Sequence, residues 1–347
     1  MNKMKRIAFF DTKPYDKIWF DRLKAEYDFE LVYFEEKLSS NTASMTRGCE
    51  GAIAFVNDTI DRSVIETMGK NGVGVLAMRC AGYNNIDFKA AFQKLHVVRV
   101  PAYSPYAVAE YAMSLLLCLN RKLHRAFNRT REYNFSLNGL TGFDLHGKTA
   151  GVIGTGKIGR VFIDICRGFG MNVIAYDPYP VKDSGIEYVG LEELCRRADV
   201  ISLHCPLTKE THHIICEQML AQMKDGVYII NTSRGALIDS EALLEAIKSG
   251  KVGGAALDVY EEESDLFYED FSNTNISDDV LARLISMHNV LITSHQAFLT
   301  DEALQNIAET TLQNLKAYFE GAPLQNEICY QCDKLGNCEK QPNGRCF

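Results

Sequence analysis

The chain of 347 residues lacks any apolar run long enough to cross a bilayer. The purest, AMSLLLCL from Ala112 to Leu119, falls far short of the ~20 residues a spanning helix needs. The start, MNKMKRIAFFD, has a basic flank, but its apolar stretch stops at Asp11 and reads as a buried strand rather than a secretory segment. No block of Lys and Arg occurs either. The 37 basic residues stand against 45 acidic ones, and a net charge of −8 argues against a nucleic-acid surface. Repeats and low-complexity segments are missing. So is a disulfide framework: the 11 cysteines are odd in number and seven are scattered singly, which fits a reducing cytoplasm. What is present is an ordinary globular composition, 46% hydrophobic and 24% charged, in a chain long enough for two domains.

Short apolar runs alternate with helix-length segments. KRIAFF, FELVYF, GAIAFV, GVGVLAM and HVVRV read as strands in the first hundred residues, in a parallel sheet covered on both faces. A second series, KTAGVIG, MNVIAYD, DVISLHC, GVYIINT, GGAALDVY and NVLITSH, supplies the six strands of a doubly wound dinucleotide-binding sheet. Between the two lies SPYAVAEYAMSLLLCLNRKLHRAF, which reads as one long helix from Ser104 to Arg125 with Pro105 early in it. Its middle is apolar nearly all round, as a helix buried between domains or subunits would be. A last amphipathic helix starts at Thr300, a good N-cap, and ends near Gly321.

GVIGTGKIGR carries Gly154, Gly156 and Gly159 in G-x-G-x-x-G spacing. The spacing alone is a weak signal, but here it follows the strand TAGVI and opens a helix. Gly154 permits the tight turn, Gly156 lets backbone approach a pyrophosphate, and Gly159 lets helix and strand pack closely. The helix start at Lys157 and Ile158 then offers N–H groups and a positive dipole end to phosphates. The next strand ends on Asp177, eighteen residues past Gly159. A carboxylate there suits the ribose of NAD and would repel the extra phosphate of NADP; its plainer reading is a turn residue before Pro178.

Three later strand ends carry polar residues: Arg234 in IINTSRG, Asp258 and Glu263 in LDVYEEE, and His295 in LITSHQAF. Taken singly, each has a structural reading: a surface Arg, a solvated Glu in a run of three, a satisfied His. Together, at the carboxyl ends of strands beyond a cofactor loop, they form a toolkit for reducing a 2-oxo acid. Arg234 can hold a carboxylate or carbonyl through its fork of donors. His295 can give a proton to the carbonyl oxygen as hydride arrives. Glu263 can orient the imidazole and favour its protonated form.

These segments, with RCAGYNNID, VPAYSPYAVAE, FSLNGLTGFDLHGKTAGVIGTGKIG and ISLHCPLT, resemble the NAD-dependent D-2-hydroxyacid dehydrogenases, and within them the fermentative D-lactate dehydrogenases, from about residue 4 to 328. The resemblance implies NADH-linked reduction of pyruvate to D-lactate, with Arg234, Glu263 and His295 as the catalytic set. It implies that the N–H groups around Ala81 and Gly82 hold the substrate carboxylate, that Tyr103 bonds it, and that Phe298 packs against the methyl group. Asp177 would bind the adenosine ribose, Asp258 the carboxamide, and Cys205–Pro206 and Thr232–Ser233 would line the cofactor. The implied architecture is a Rossmann NAD domain (103–297, carrying the dimerisation helices) inserted into a flavodoxin-like substrate domain (1–102 and 298–330), with a cleft that closes on substrate. The long helix and the arm NRTREYNFSLNGLTGF would clasp a second subunit, giving a homodimer or a dimer of dimers. Two other readings stay open: a dehydrogenase for a bulkier 2-oxo acid such as phenylpyruvate, and a non-catalytic NAD-sensing protein.

Other candidates look inert. His212 and His213 are adjacent, on a helix start, with no third ligand in the nearby sequence. Cys205 is expected beside the cofactor with some sensitivity to oxidation. The tail, residues 331–347 with Cys329 just before it, departs from the family pattern. Cys329, Cys332, Cys338 and Cys346, spaced C-x2-C-x5-C-x7-C, could close around one structural zinc. The irregular second half leaves an iron–sulfur cluster, disulfides or an unligated end as alternatives.

Overall fold

The computed structural model describes residues 4–262, 267–268, 270–335 and 340–347. Glu263 and Cys338 therefore lie outside the described residues. The chain divides into two compact units, Met1–Ser104 with Thr300–Phe347, and Pro105–Leu299 between them in sequence.

The first segment runs β1 (Lys5–Phe9), α1 (Pro14–Leu23), β2 (Phe29–Tyr33), β3 (Gly51–Ala54), α2 (Arg62–Lys70), β4 (Val75–Met78), α3 (Phe88–Ala91) and β5 (His96–Arg99). The strands pair in parallel in the order β5-β4-β3-β1-β2, a flavodoxin-type winding. Every residue of β3 and β4 is buried, which is why these strands read as continuous apolar runs rather than alternating ones. Asp61 and Asp87 cap α2 and α3 by accepting from Val64 N and Ala90 N.

The second unit contains α4 (Pro105–Arg121), α5 (Leu123–Arg131), β6 (Thr149–Ile153), α6 (Lys157–Gly168), β7 (Asn172–Tyr176), β8 (Glu187–Tyr188), α7 (Leu191–Arg197), β9 (Val200–Leu203), α8 (Glu217–Gln222), β10 (Val227–Asn231), α9 (Ser240–Lys248), β11 (Val252–Leu257), α10 (Asp279–Ser286) and β12 (Val290–Ile292). Its sheet is parallel, in the order β12-β11-β10-β9-β6-β7-β8. Counted from β6 it reads 3-2-1-4-5-6-7, the Rossmann order with the short β8 as its third strand and β12 added at the far edge, and the strand order reverses between β6 and β9. One apolar cluster gathers Leu194, Ile201, Ile229, Leu243 and Leu284; a second gathers α4 with Val152, Phe162 and Ile230.

The long helix expected from Ser104 to Arg125 is two helices. Lys122 breaks it by taking a left-handed conformation, φ 51° and ψ 37°. Position 122 does not announce this, since it is neither Gly, Asn nor Pro; the nearest such residue, Asn120, stays in α4. The Lys122 ammonium bonds the Thr141 carbonyl at 2.5 Å, a contact made nineteen residues away.

The chain returns to the first unit through α11 (Asp301–Phe319), β13 (Glu327–Ile328) and α12 (Tyr330–Leu335). Thr300 caps α11, accepting from Ala303 N at 3.2 Å as its sequence position suggests. Ala308, Leu312 and Leu315 of α11 join Ile7, Phe9, Ile53 and Val98 in one core. The two residues of β13 pair antiparallel with β5 and close that sheet edge.

Candidate active site

In the second unit the glycine loop occupies the point where the strand order reverses. Gly154 sits at φ 95°, and a Cβ there would meet backbone of His204 and Cys205 at 2.7 Å. A Cβ on Gly159 would lie 2.0 Å from the Gly154 carbonyl oxygen. Gly156, by contrast, has open space where its Cβ would stand. The first N–H groups of α6, from Lys157 and Ile158 onward, have no partner within their own helix. A close turn, tight packing behind it and open backbone in front make a cradle for a phosphate group.

Asp177 follows β7 and organises the backbone around it. Its Oδ2 accepts from Thr155 N at 2.7 Å and Thr155 Oγ1 at 2.9 Å, and its Oδ1 accepts from Tyr179 N at 2.8 Å. The turn-residue reading is therefore borne out. Burial would raise its pKa, but these donors outweigh it and hold the carboxyl below its ordinary range. Tyr188 OH extends the network by donating to Thr155 Oγ1 at 3.0 Å.

Beyond β10, Asn231 shapes the loop that carries Arg234. Its Oδ1 accepts from Ser233 N, its Nδ2 donates to the Arg234 carbonyl, and Ser233 Oγ donates to the Cys205 carbonyl at 2.6 Å. This last bond ties the Cys205–Pro206 loop to the Thr232–Ser233 loop. The buried Thr232 Oγ1 has no hydrogen-bond partner among the described residues, as expected of a hydroxyl reserved for a ligand. Gly235 is required next to Arg234, because a Cβ would lie 2.0 Å from backbone of Tyr260. The half-buried Arg234 guanidinium bonds the Ser233 carbonyl at 2.7 Å.

His295 sits just after β12 in a left-handed conformation, φ 51°. That geometry is costly for a non-glycine residue and persists only where surroundings enforce it. Asp258 is the enforcer. Its fully buried carboxylate accepts from Thr293 Oγ1 at 2.6 Å, Gln296 N at 2.9 Å and Ala297 N at 2.8 Å, on both sides of His295. The Asp258 carbonyl takes the His295 N–H at 2.7 Å, and Tyr268 OH donates to the His295 carbonyl at 2.9 Å. Burial, the largest influence, raises the Asp258 pKa; the three donors and His295 oppose it. A carboxylate has about four acceptor sites, so three bonds leave room for one more donor. Phe298 follows, buried.

In the first unit the RCAG segment follows β4. Among the described residues neither the Ala81 nor the Gly82 N–H has a hydrogen-bond partner, and the Ala81 carbonyl is held by Arg99 Nη1 at 2.7 Å. The anchor beneath is Arg79, which motif reading passed over. Its guanidinium is fully buried, 2.8 Å from the Asp11 carbonyl and 3.3 Å from an Asp16 carboxylate oxygen, over the Phe55 ring at 3.9 Å. Asp58, also buried, fixes the neighbouring loop by accepting from Phe55 N at 2.5 Å and Leu38 N at 2.6 Å; burial pushes its pKa up to about 7. Tyr103 lies at the end of this unit and is half-buried.

Two expectations change. His212 and His213 are in a turn rather than a helix start, their rings stack at 4.0 Å, and Glu261 does supply a third polar group, 2.6 Å from His213 Nε2. Cys205 is buried and its thiol pKa is pushed up to about 11, chiefly by desolvation, which disfavours the reactive thiolate. His204 is a half-buried, satisfied histidine just past β9. It is kept neutral by burial, with its pKa lowered to about 3, and it pairs with Ser202 Oγ at 2.9 Å.

A parallel Rossmann sheet, a glycine cradle, a ribose-type carboxylate and an Arg–His pair at strand ends define a nicotinamide-dependent dehydrogenase. The chain matches the family D-isomer specific 2-hydroxyacid dehydrogenase, NAD binding domain, over residues 113–297, and it belongs to that family. It is 53% identical over 327 residues to D-lactate dehydrogenase of Escherichia coli K12, an alignment covering 93% of this chain and 99% of that one. Among solved structures, the apo D-lactate dehydrogenase of Escherichia coli superposes with a TM-score of 0.86 at 51% identity. The pyruvate reductase of Chlamydomonas reinhardtii superposes with 0.89 at 42% identity; both cover 93% of this chain and 99% of theirs. NAD is the cofactor, and the cradle with the unpaired Thr232 hydroxyl fits it.

Proposed function

We propose that the protein interconverts pyruvate and D-lactate, running with NADH in the reductive direction. The observation that carries this reading is the strained His295, fixed by the Asp258 carboxylate one strand away from Arg234. The 53% identity to a D-lactate dehydrogenase supports it further.

When bound, NADH supplies the hydride that adds to the carbonyl carbon. His295 gives its proton to the carbonyl oxygen as the π pair of the C=O bond moves onto that oxygen, and takes it back in the reverse direction. Arg234 steadies the developing charge with its fork of donors. Glu263, outside the described residues, is assigned on sequence grounds to orient the imidazole. The Ala81 and Gly82 N–H groups and Tyr103 take the substrate carboxylate, and Phe298 meets the methyl group. Gly154, Gly156, Lys157, Ile158 and Gly159 hold the pyrophosphate and Asp177 the ribose. Cys205, Pro206, Thr232 and Ser233 line the cofactor, and Asp258 offers its remaining acceptor site to the carboxamide.

The active form is a homodimer or a dimer of dimers. Leu123, Phe127, Tyr133, Phe135 and Leu137 are 57–85% exposed along one stretch, an apolar arm that a second subunit would cover. No helix among the described residues is long and apolar enough to cross a membrane, and scattered single cysteines favour the cytoplasm.

Two assays test the reading. Pyruvate should be turned over far faster than phenylpyruvate; the reverse preference identifies a dehydrogenase for bulkier 2-oxo acids. His295→Asn should cut kcat by about two to four orders of magnitude while leaving NADH binding within about threefold. NADH binding without turnover of any 2-oxo acid by the wild type would instead mark an NAD-sensing protein.

A further inference from the structure

The C-terminal cysteines are not a frayed end. The tail doubles back onto the first unit through several independent ties. Arg345 donates to the last carbonyls of α11, Tyr318 O at 2.8 Å and Ala317 O at 3.2 Å, where a cation is favoured. Gly344, at φ 76°, turns so close to Pro323 that a Cβ would stand 2.5 Å from its ring. Leu324 N bonds the Gly344 carbonyl at 3.2 Å. Cys346 N donates to Glu327 Oε2 at 2.6 Å, while Glu327 Oε1 meets His96 Nδ1 at 2.5 Å and the Phe347 ring stacks on His96 at 4.3 Å.

These ties bring three sulfurs together from three backbone segments: Cys329 at the end of β13, Cys332 in α12, and Cys346 beyond the Gly344 turn. The three Sγ atoms all lie within 4.8 Å of one another, and Cys329 and Cys346 are 3% and 4% exposed. The Cys329–Cys332 separation is 3.7 Å. A disulfide needs about 2.05 Å. Thiolates at ~2.3 Å from one tetrahedral ion stand about 3.8 Å apart. A multi-iron cluster would spread its thiolates round a core several ions wide, whereas these converge towards one point.

We propose that Cys329, Cys332 and Cys346 bind a single zinc-class divalent ion that pins the tail to the first unit. The thiol protons leave to solvent as the ion binds, and the ion undergoes no redox change. A fourth ligand completes the tetrahedron; Cys338 lies outside the described residues, and the proposal rests on the other three. The site is structural. It joins the strand that seals β5, the helix after it and the residues that cap α11, and it is independent of how the chain handles 2-oxo acids.

The test uses tag-free, full-length protein purified without added metal. Elemental analysis should give close to one zinc per chain. Cys332→Ser and Cys346→Ser should each lower that ratio at least about tenfold, while Cys216→Ser, in the second unit, retains it. Should a variant fail to fold, the wild type still decides: a thiol-reactive mercurial should release one zinc per chain to a chromophoric chelator. Cobalt loaded in place of zinc should show intense thiolate charge-transfer bands. A metal-free wild type, iron with labile sulfide, or a tail disulfide found by mass spectrometry would each overturn the proposal. Pyruvate turnover measured on the same samples reports separately on the catalytic reading.

Discussion

Two glycines of one loop should fail in opposite ways. At Gly159 an added methyl lies 2.0 Å from the Gly154 carbonyl oxygen, and ordinary contact begins at 3.4 Å. The obstacle is backbone, so no rotamer relieves it, and α6 must move off the loop by about 1.4 Å. Overpacking of this kind costs about 1–3 kcal/mol or more, and alanine returns up to about 1 kcal/mol of helix propensity. A net loss of about 2 kcal/mol lowers the melting temperature of a unit this size by about 4–8 °C. At Gly156 nothing lies within 4 Å of the added methyl, and φ −64° suits alanine. Gly156→Ala should therefore melt within about 2 °C of the wild type. Its methyl stands instead where a pyrophosphate must approach the backbone, so NADH affinity should fall at least about tenfold, or 1.4 kcal/mol. Calorimetry and NADH fluorescence titration on both variants separate the effects. If Gly156→Ala binds NADH normally, or Gly159→Ala keeps the wild-type melting point, the packing argument is wrong.

Other outcomes follow from the charges. Asp177→Ser removes the carboxylate expected to repel a 2′-phosphate, so the NADPH-to-NADH efficiency ratio should rise at least about tenfold, read from kcat/KM with each cofactor. The same carboxyl has its pKa lowered on folding, so its stabilising contribution is present above about pH 3.9 and lost as pH falls through the folded value. Urea melts of wild type and Asp177→Asn should differ at neutral pH, by no more than about 1 kcal/mol for a partly exposed site, and converge in acid. Arg79→Met removes the guanidinium paired with the buried Asp16 carboxylate, while Asp11 keeps Lys13 at 2.8 Å, and should cost about 3–5 kcal/mol in urea melts; a loss under about 1 kcal/mol refutes the anchoring role.

The strands and the glycine loop were legible because buried parallel strands are continuous apolar runs and because Gly154, Gly156 and Gly159 flank a strand-to-helix turn. What escaped depends on contacts far apart in sequence. Lys122 breaks a helix while its side chain bonds Thr141, nineteen residues on, and position 122 is not a breaker residue. The structural task of Asp258 was hidden as well, because its carboxylate holds a turn up to 39 residues away. Strands β8 and β13, two residues each, are too short for any periodicity to show. The Glu261 partner of His213 is 48 residues off, and the folding back of Arg345 onto α11 could not be inferred from a stretch rich in Gly, Pro and Asn. The chemistry of the tail was visible in its cysteines; its attachment was not.

The discontinuous first unit has a consequence for synthesis. Its five parallel strands leave the ribosome first, but α11, whose Ala308, Leu312 and Leu315 complete their core, is encoded after the 195 residues from Pro105 to Leu299. At ribosomal speeds of about 5–20 residues per second, the apolar face that α11 will cover stays open for about 10–40 s. The inserted unit, contiguous in sequence, is complete at the end of that interval, before the whole of α11 has been made. The nascent chain thus passes through a stage with one domain complete and an earlier one still waiting for its last helix, the stage at which a chaperone would find it.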